Sequence, residues 1–96
     1  MTIDIRHNEP DTRYELWLDD ELASVADYRV VDNRTVFHHT ETSTRFRDQG
    51  MAARLVEHAL TDVRATGRTV VPRCWFVAEF IDAHPEFKDL MAPGVR

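Results

Sequence analysis

Arg45-Phe46-Arg47-Asp48-Gln49-Gly50-Met51-Ala52 is the stretch whose reading decides the fold. Ahead of it the β-branched and aromatic run Thr35-Val36-Phe37 leads into Thr40-Glu41-Thr42. Behind it, Met51, Ala52, Leu55, Val56, Ala59, Leu60 and Val63 recur at helical spacing and form one apolar stripe. The octet is therefore a strand-to-helix loop, with Gly50 and Ala52 at the helix start and two arginines just before it. Small residues there allow another group close to the backbone, and the first amides of a helix lack intrahelical acceptors. Such a start suits a phosphate or diphosphate, with Arg45 and Arg47 adding charge-assisted contacts. The alternative is an ordinary tight turn flanked by two solvated arginines.

Working toward the N-terminus, Thr35 to Thr42 is a third main strand, preceded by the turn signal Asp32-Asn33-Arg34. Leu22 to Val31 carries strand propensity at Val25, Tyr28, Val30 and Val31, and Asp19-Asp20 is a plausible hairpin turn before it. From Arg13 to Leu18 the chain alternates, Tyr14, Leu16 and Leu18 facing one way and Glu15 and Trp17 the other. Tyr14, Trp17, Tyr28 and Phe37 are expected on the core face of the sheet. Ile3 and Ile5 form a short edge strand, so the first half is an antiparallel meander.

Working toward the C-terminus, the helix is expected from about Asp48 to Thr66, with Gly67 at its C-cap. Thr69-Val70-Val71 is a short strand stopped by Pro72. Strand, helix and strand make a crossover, which sets the last strand parallel to the third. Trp75 to Ala83 is a further helix, His84-Pro85 a break, Glu86 to Leu90 a last short helix, and Met91 to Arg96 a frayed tail. The fold class is α/β of the α+β type: an antiparallel β-meander followed by a β-α-β crossover and C-terminal helices.

Ninety-six residues make one domain, 1–96, with a core over about 13–90. With 43% hydrophobic and 30% charged residues the composition is that of a globular chain. A net charge of −5 argues against general nucleic-acid binding. Neither a long apolar run nor a signal-peptide pattern is present, so no membrane role is expected. One cysteine forms no internal disulfide, which points to the cytoplasm.

His38 and His39 are neighbours in a strand and point to opposite faces, and His7, His58 and His84 show no ligand spacing with the cysteine, so no metal site is expected. Cys74 follows Pro72-Arg73 and precedes a helix, where the dipole and an arginine favour a thiolate nucleophile. The alternative for Cys74 is a small buried hydrophobe. Glu41, near the end of the third strand, is a candidate general base for an incoming amine; the alternative is an exposed sheet carboxylate. Phe80 and His84, one turn apart, mark a possible cofactor groove along the terminal helix pair.

Taken together these stretches resemble the GNAT superfamily of acetyl-CoA-dependent N-acetyltransferases, and more closely its compact single-domain group. The superfamily pattern Gln/Arg-x-x-Gly-x-Gly/Ala is met by Arg47-Asp48-Gln49-Gly50-Met51-Ala52. The compact group is matched upstream by His39-Thr40-Glu41-Thr42 and downstream by Val71-Pro72-Arg73-Cys74-Trp75-Phe76-Val77 and His84-Pro85-Glu86-Phe87. The resemblance implies that amides at Gln49, Gly50, Met51 and Ala52 hold the diphosphate of acetyl-CoA, the co-substrate, with Arg45 and Arg47 assisting. It implies that the backbone near Thr40 and Glu41 aligns the pantetheine arm, that Glu41 is the base, and that Cys74 offers an acyl-cysteine route or no role. Two departures stand out. Asp48 replaces a frequent glycine, where it can instead cap the helix, and Trp75 replaces a frequent proline. The helices that larger members place between their first two strands are missing, so the acceptor side is open. That suits a peptide or protein amine, or completion by a second subunit. The implied activity is acetyl transfer to an amine; the alternative is a non-catalytic acyl-CoA sensor or interaction module.

Overall fold

The computed structural model describes residues 2–93. Five strands form one sheet in chain order: β1 (Ile3–Asn8), β2 (Arg13–Leu18), β3 (Glu21–Val31), β4 (Arg34–Thr42) and β5 (Thr69–Pro72). The first four run antiparallel, and β5 lies parallel to β4 after the crossover helix α1 (Met51–Thr66). The hairpin turns fall at the expected residues because Asp19, Asp32 and Asn33 accept positive φ, at 54°, 49° and 63°. Gly67 closes α1 with φ 79° and donates its N–H to the Arg64 carbonyl. Helix α2 (Trp75–Ala83) follows β5, and Pro85 opens a 3-10 turn over Pro85–Leu90.

Both helices pack on the same face of the sheet. Tyr14, Leu16, Tyr28 and Phe37 meet Leu55, Val56, Leu60 and Val63 of α1 and Val77, Phe80 and Ile81 of α2 in one core. Each fully buried aliphatic side chain contributes about 1.5–3 kcal/mol, so this layer stabilises the domain. Among the described residues the other face carries no helix, since β1 and β2 are joined only by the 3-10 turn Glu9–Asp11. Several of its polar groups are paired within the face. Arg13 donates to Asp27 at 2.7 Å, and Glu15 accepts from Asn8 at 3.1 Å and Trp17 at 3.0 Å.

Four expectations change. The edge strand is longer than Ile3 and Ile5 alone suggest, reaching Asn8 by pairing with Arg13. Trp17 lies on the uncovered face with the Arg6 guanidinium 4.6 Å over its ring, because strand alternation sets it opposite Tyr14, Leu16 and Leu18. Helix α1 begins at Met51, since Asp48 and Gly50 both take left-handed geometry, φ 62° and 78°, and no side chain caps the helix. Asp48 is thus a turn residue and not a cap. Met91 is docked: it bridges to Val70, and the Ala92 N–H donates to the Val70 carbonyl at 3.0 Å. Ala92 packs with Val36 and Val71; of the expected tail, residues 94–96 lie outside the described residues.

Candidate functional site

The site forms where β4 and β5 part. Their pairing runs from Arg34 with Thr69 to Phe37 with Pro72 and stops. Past Pro72 the N–H groups of Arg73 and Cys74 both donate to the Phe37 carbonyl, at 2.9 and 3.0 Å, and the chain turns into α2. Meanwhile β4 continues to Thr42 with no strand beside it on that edge among the described residues. His38 sits where β4 supplies one residue more than β3, Phe37 pairing with Tyr28 and His39 with Asp27, a bulge that bends the strand. Buried Ser24 anchors the far end, its hydroxyl donating to the Glu41 carbonyl at 3.1 Å and lying 3.0 Å from Thr42 Oγ1.

A cavity of about 390 Å³ fills the gap. Thr40, Glu41 and Thr42 of β4 form one wall, Trp75 and Phe76 of α2 another, and Phe46, Arg47, Asp48, Gly50, Met51, Ala52 and Ala53 the third. Six of these are apolar, so the cavity is an oily slot with a polar end at the start of α1. The first helical bond is Arg54 N–H to the Gly50 carbonyl at 3.1 Å, which leaves the N–H groups of Met51, Ala52 and Ala53 without intrahelical acceptors. A Cβ built on Gly50 meets nothing within 4 Å, so the space over this turn is open. Free amides, open space and the positive end of the helix dipole make a seat for an anionic oxygen cluster.

The two arginines of the loop part company. Arg45 is held by both carboxylate oxygens of Glu21 at 2.8 Å, and its guanidinium lies 5.2 Å from the Phe46 ring, outside the cavity wall. Arg47 lines the cavity, donates to the Thr42 carbonyl at 3.5 Å, and has no carboxylate partner among the described residues. Gln49 donates to the Arg45 carbonyl at 3.3 Å, bracing the turn.

Glu41 lines the cavity, and its carboxylate accepts from His39 Nε2 at 3.1 Å. Sequence reasoning assigned His39 no role, although His-x-Glu in a strand places both side chains on one face. Cys74 is buried at the N-cap position of α2, its Sγ 3.4 Å from Thr40 Oγ1, so Thr40 and Cys74 meet across the gap. Phe80 and His84 lie elsewhere. Their rings stack at 3.9 Å within the core, and His84 Nδ1 is 2.8 Å from the Phe80 carbonyl. The aromatics that line the slot are Phe46, Trp75 and, one turn before Phe80, Phe76. Among the described residues no group of three His, Cys, Asp or Glu converges on a point a metal could occupy.

A second polar cluster lies toward the other end of α1, Asp62 being about 16 Å along the axis from Met51 at 1.5 Å per residue. Tyr14 donates to Asp62 at 2.5 Å, His7 Nδ1 is 3.3 Å from the same oxygen, and His7 Nε2 is 2.6 Å from the Tyr28 hydroxyl. Burial, and then the bond to Asp62, push the Tyr14 pKa up, while burial raises Tyr28. The cluster ties β1 to α1 and is remote from the slot.

A family model described as GCN5-related N-acetyl-transferase matches residues 13–90. No curated protein matches the sequence. Among solved structures, a GCN5-like protein from Staphylococcus aureus is similar with TM-score 0.72 and 18% identity, over 93% of this chain and 87% of that one. The ribosomal-protein-S18-alanine N-acetyltransferase from Escherichia coli is similar with TM-score 0.58 and 19% identity, over 60% of this chain and 38% of that one. A GNAT-family protein from Desulfovibrio desulfuricans gives TM-score 0.55 and 19% identity, over 60% of this chain and 40% of that one. The match thus spans well under half the length of the last two proteins.

Proposed function

The chain belongs to the GCN5-related N-acetyltransferase family, and from that membership and the slot we propose that it binds acetyl-CoA and transfers the acetyl group to an amine. One observation carries the reading: a helix start with free amides opens directly into an apolar slot alongside an unpaired strand edge. A phosphate-headed molecule with a slender amide-bearing arm fits that sequence of surfaces. The amides of Met51 to Ala53 and the Arg47 guanidinium would hold the diphosphate. The free edge of β4 over Thr40 to Thr42 would hold the arm, with Met51 and Phe76 against its carbons.

When bound, acetyl-CoA supplies an activated thioester carbonyl. An alkylamine reaches the site as the ammonium and must shed a proton before it can attack. Glu41, with His39 Nε2 on its carboxylate, is the group at the slot able to take that proton. Cys74 is buried behind the wall beside Thr40 and acts by packing in this scheme. The lone cysteine fits a reducing cytoplasm.

Isothermal titration with acetyl-CoA and with free CoA is the test. Saturable binding of both is expected, and no binding at millimolar ligand overturns the reading. Binding without thiol release across a broad amine panel would make the protein an acyl-CoA-binding module instead.

A further inference from the structure

The uncovered face of the sheet divides in two. Toward β1 and β2 its charged groups find partners: Arg6 lies 2.6 Å from Asp4, Arg13 holds Asp27, and Glu15 accepts from Asn8 and Trp17. At the opposite corner they do not. Phe37 and Val70 point into the core, so Val36 and Val71, paired across β4 and β5, point the other way, where Ala92 packs with them. Arg29 stands opposite Val36, and Arg34 lies two residues before Val36 on the same face. Arg73 lies two residues after Val71, its neighbour Cys74 belonging to the core. All three arginines are exposed, and their side chains have no hydrogen bond or carboxylate partner among the described residues; the paired arginines are Arg6, Arg13, Arg45 and Arg64. Val31, paired with Arg34, adds an apolar side chain that is 45% exposed.

A guanidinium without an internal partner is free to take a carboxylate in a two-pronged contact. Residues on one face of a strand recur about every 6.6 Å, which sets Arg34 and Arg73 about 13 Å apart along the strands, with the valine pair between them. An extended peptide repeats at the same spacing. Acids at its positions i and i+4 therefore reach the two arginines, with Arg29 beside them. An apolar side chain at i+2 then lies at the level of Val36, among the arginine stems. We propose that this corner docks an acidic protein segment of the pattern acid-x-apolar-x-acid, on a surface separate from the acetyl-CoA slot. Nucleic acid fits it poorly. The corner carries no aromatic side chain on which a base could stack, and a chain of net charge −5 repels a polyanion.

The test is fluorescence anisotropy of the full chain with a labelled peptide, Ser-Glu-Ser-Val-Ser-Glu-Ser. The controls are the same peptide with lysine for glutamate, the same peptide with serine for valine, and single-stranded oligothymidine. Saturable binding of the first peptide is expected, weakened by added salt, reduced with serine and lost with lysine. Arg34→Glu is expected to weaken it about ten-fold. Arg54→Glu, the same charge change at an exposed position of α1, leaves it unchanged. Arg29→Glu takes the place of Arg34→Glu where the latter does not fold. Sedimentation velocity on the same samples reads self-association. No saturable binding at millimolar peptide, equal binding of either control peptide, an equal loss in Arg54→Glu, or oligothymidine bound as tightly overturns the inference. So does self-association that Arg34→Glu abolishes, since a second copy of the chain is then the occupant.

Discussion

Gly50 and Gly67 offer a matched pair for locating the ligand. They flank α1, share nearly the same φ, 78° and 79°, and would each place a Cβ where nothing lies within 4 Å. Alanine at either position meets only the left-handed backbone penalty, about 1 kcal/mol, which lowers Tm by about 4–8 °C for a domain of this size. Ligand binding separates the two. Gly50→Glu sets a carboxylate at the proposed diphosphate seat; at about 6 Å and an effective dielectric of about 20, one pair of like charges costs about 3 kcal/mol. That is about a hundred-fold in Kd, before the bulk of the side chain is counted. Calorimetric titration with CoA alongside thermal melts reads both quantities. Gly67→Ala is expected to melt early and bind normally, and Gly50→Glu to melt early and bind poorly. Unchanged CoA affinity in Gly50→Glu would refute the seat. A stability loss above about 3 kcal/mol in Gly50→Ala would refute the open backbone, because strain alone does not reach it.

Arg47→Ala is expected to weaken CoA binding about ten-fold and to reduce its salt dependence, while Arg45→Ala, whose side chain serves Glu21, changes affinity little; equal losses in the two would contradict the geometry. Tyr14→Phe removes the hydroxyl bonded to Asp62 and is expected to cost about 1 kcal/mol at neutral pH. Because the folded Tyr14 pKa lies above its unfolded value, the unfolded chain loses its proton first. Stability is therefore full below about pH 10 and falls above it. Melts between neutral and strongly alkaline pH should fall more steeply for the unsubstituted protein than for Tyr14→Phe, and parallel curves would remove Tyr14 from the linkage. Cys74→Ala is expected to keep CoA binding and turnover, as suits a thiol buried against Thr40; lost turnover with intact binding would route the acetyl group through the sulfur.

The order of elements was legible in the sequence because its signals are local. Alternation at Tyr14, Leu16 and Leu18 fixes a strand face, aspartates at 19 and 32 tolerate the turn backbone, and the stripe from Met51 to Val63 can bury itself only as a helix. Gly67 and Pro72 then end the elements they follow, each through its own φ or its missing N–H. The open start of α1 was legible for the same reason, being made of backbone at one short stretch. What each side chain does there was not. Arg45 and Arg47 are equivalent in sequence, and only the approach of Glu21, twenty-four residues away, engages one and leaves the other at the slot. Phe80 and Phe76 sit at one helical spacing, and the packing of His84 and Phe87 on Phe80 draws that ring into the core. Thr40 and Cys74, and Val70 and Met91, are likewise meetings of distant segments. Neighbouring residues set backbone angles, so the sequence determined the scaffold; pairing and burial depend on whatever the fold brings alongside, so tertiary structure alone decided which groups face the slot.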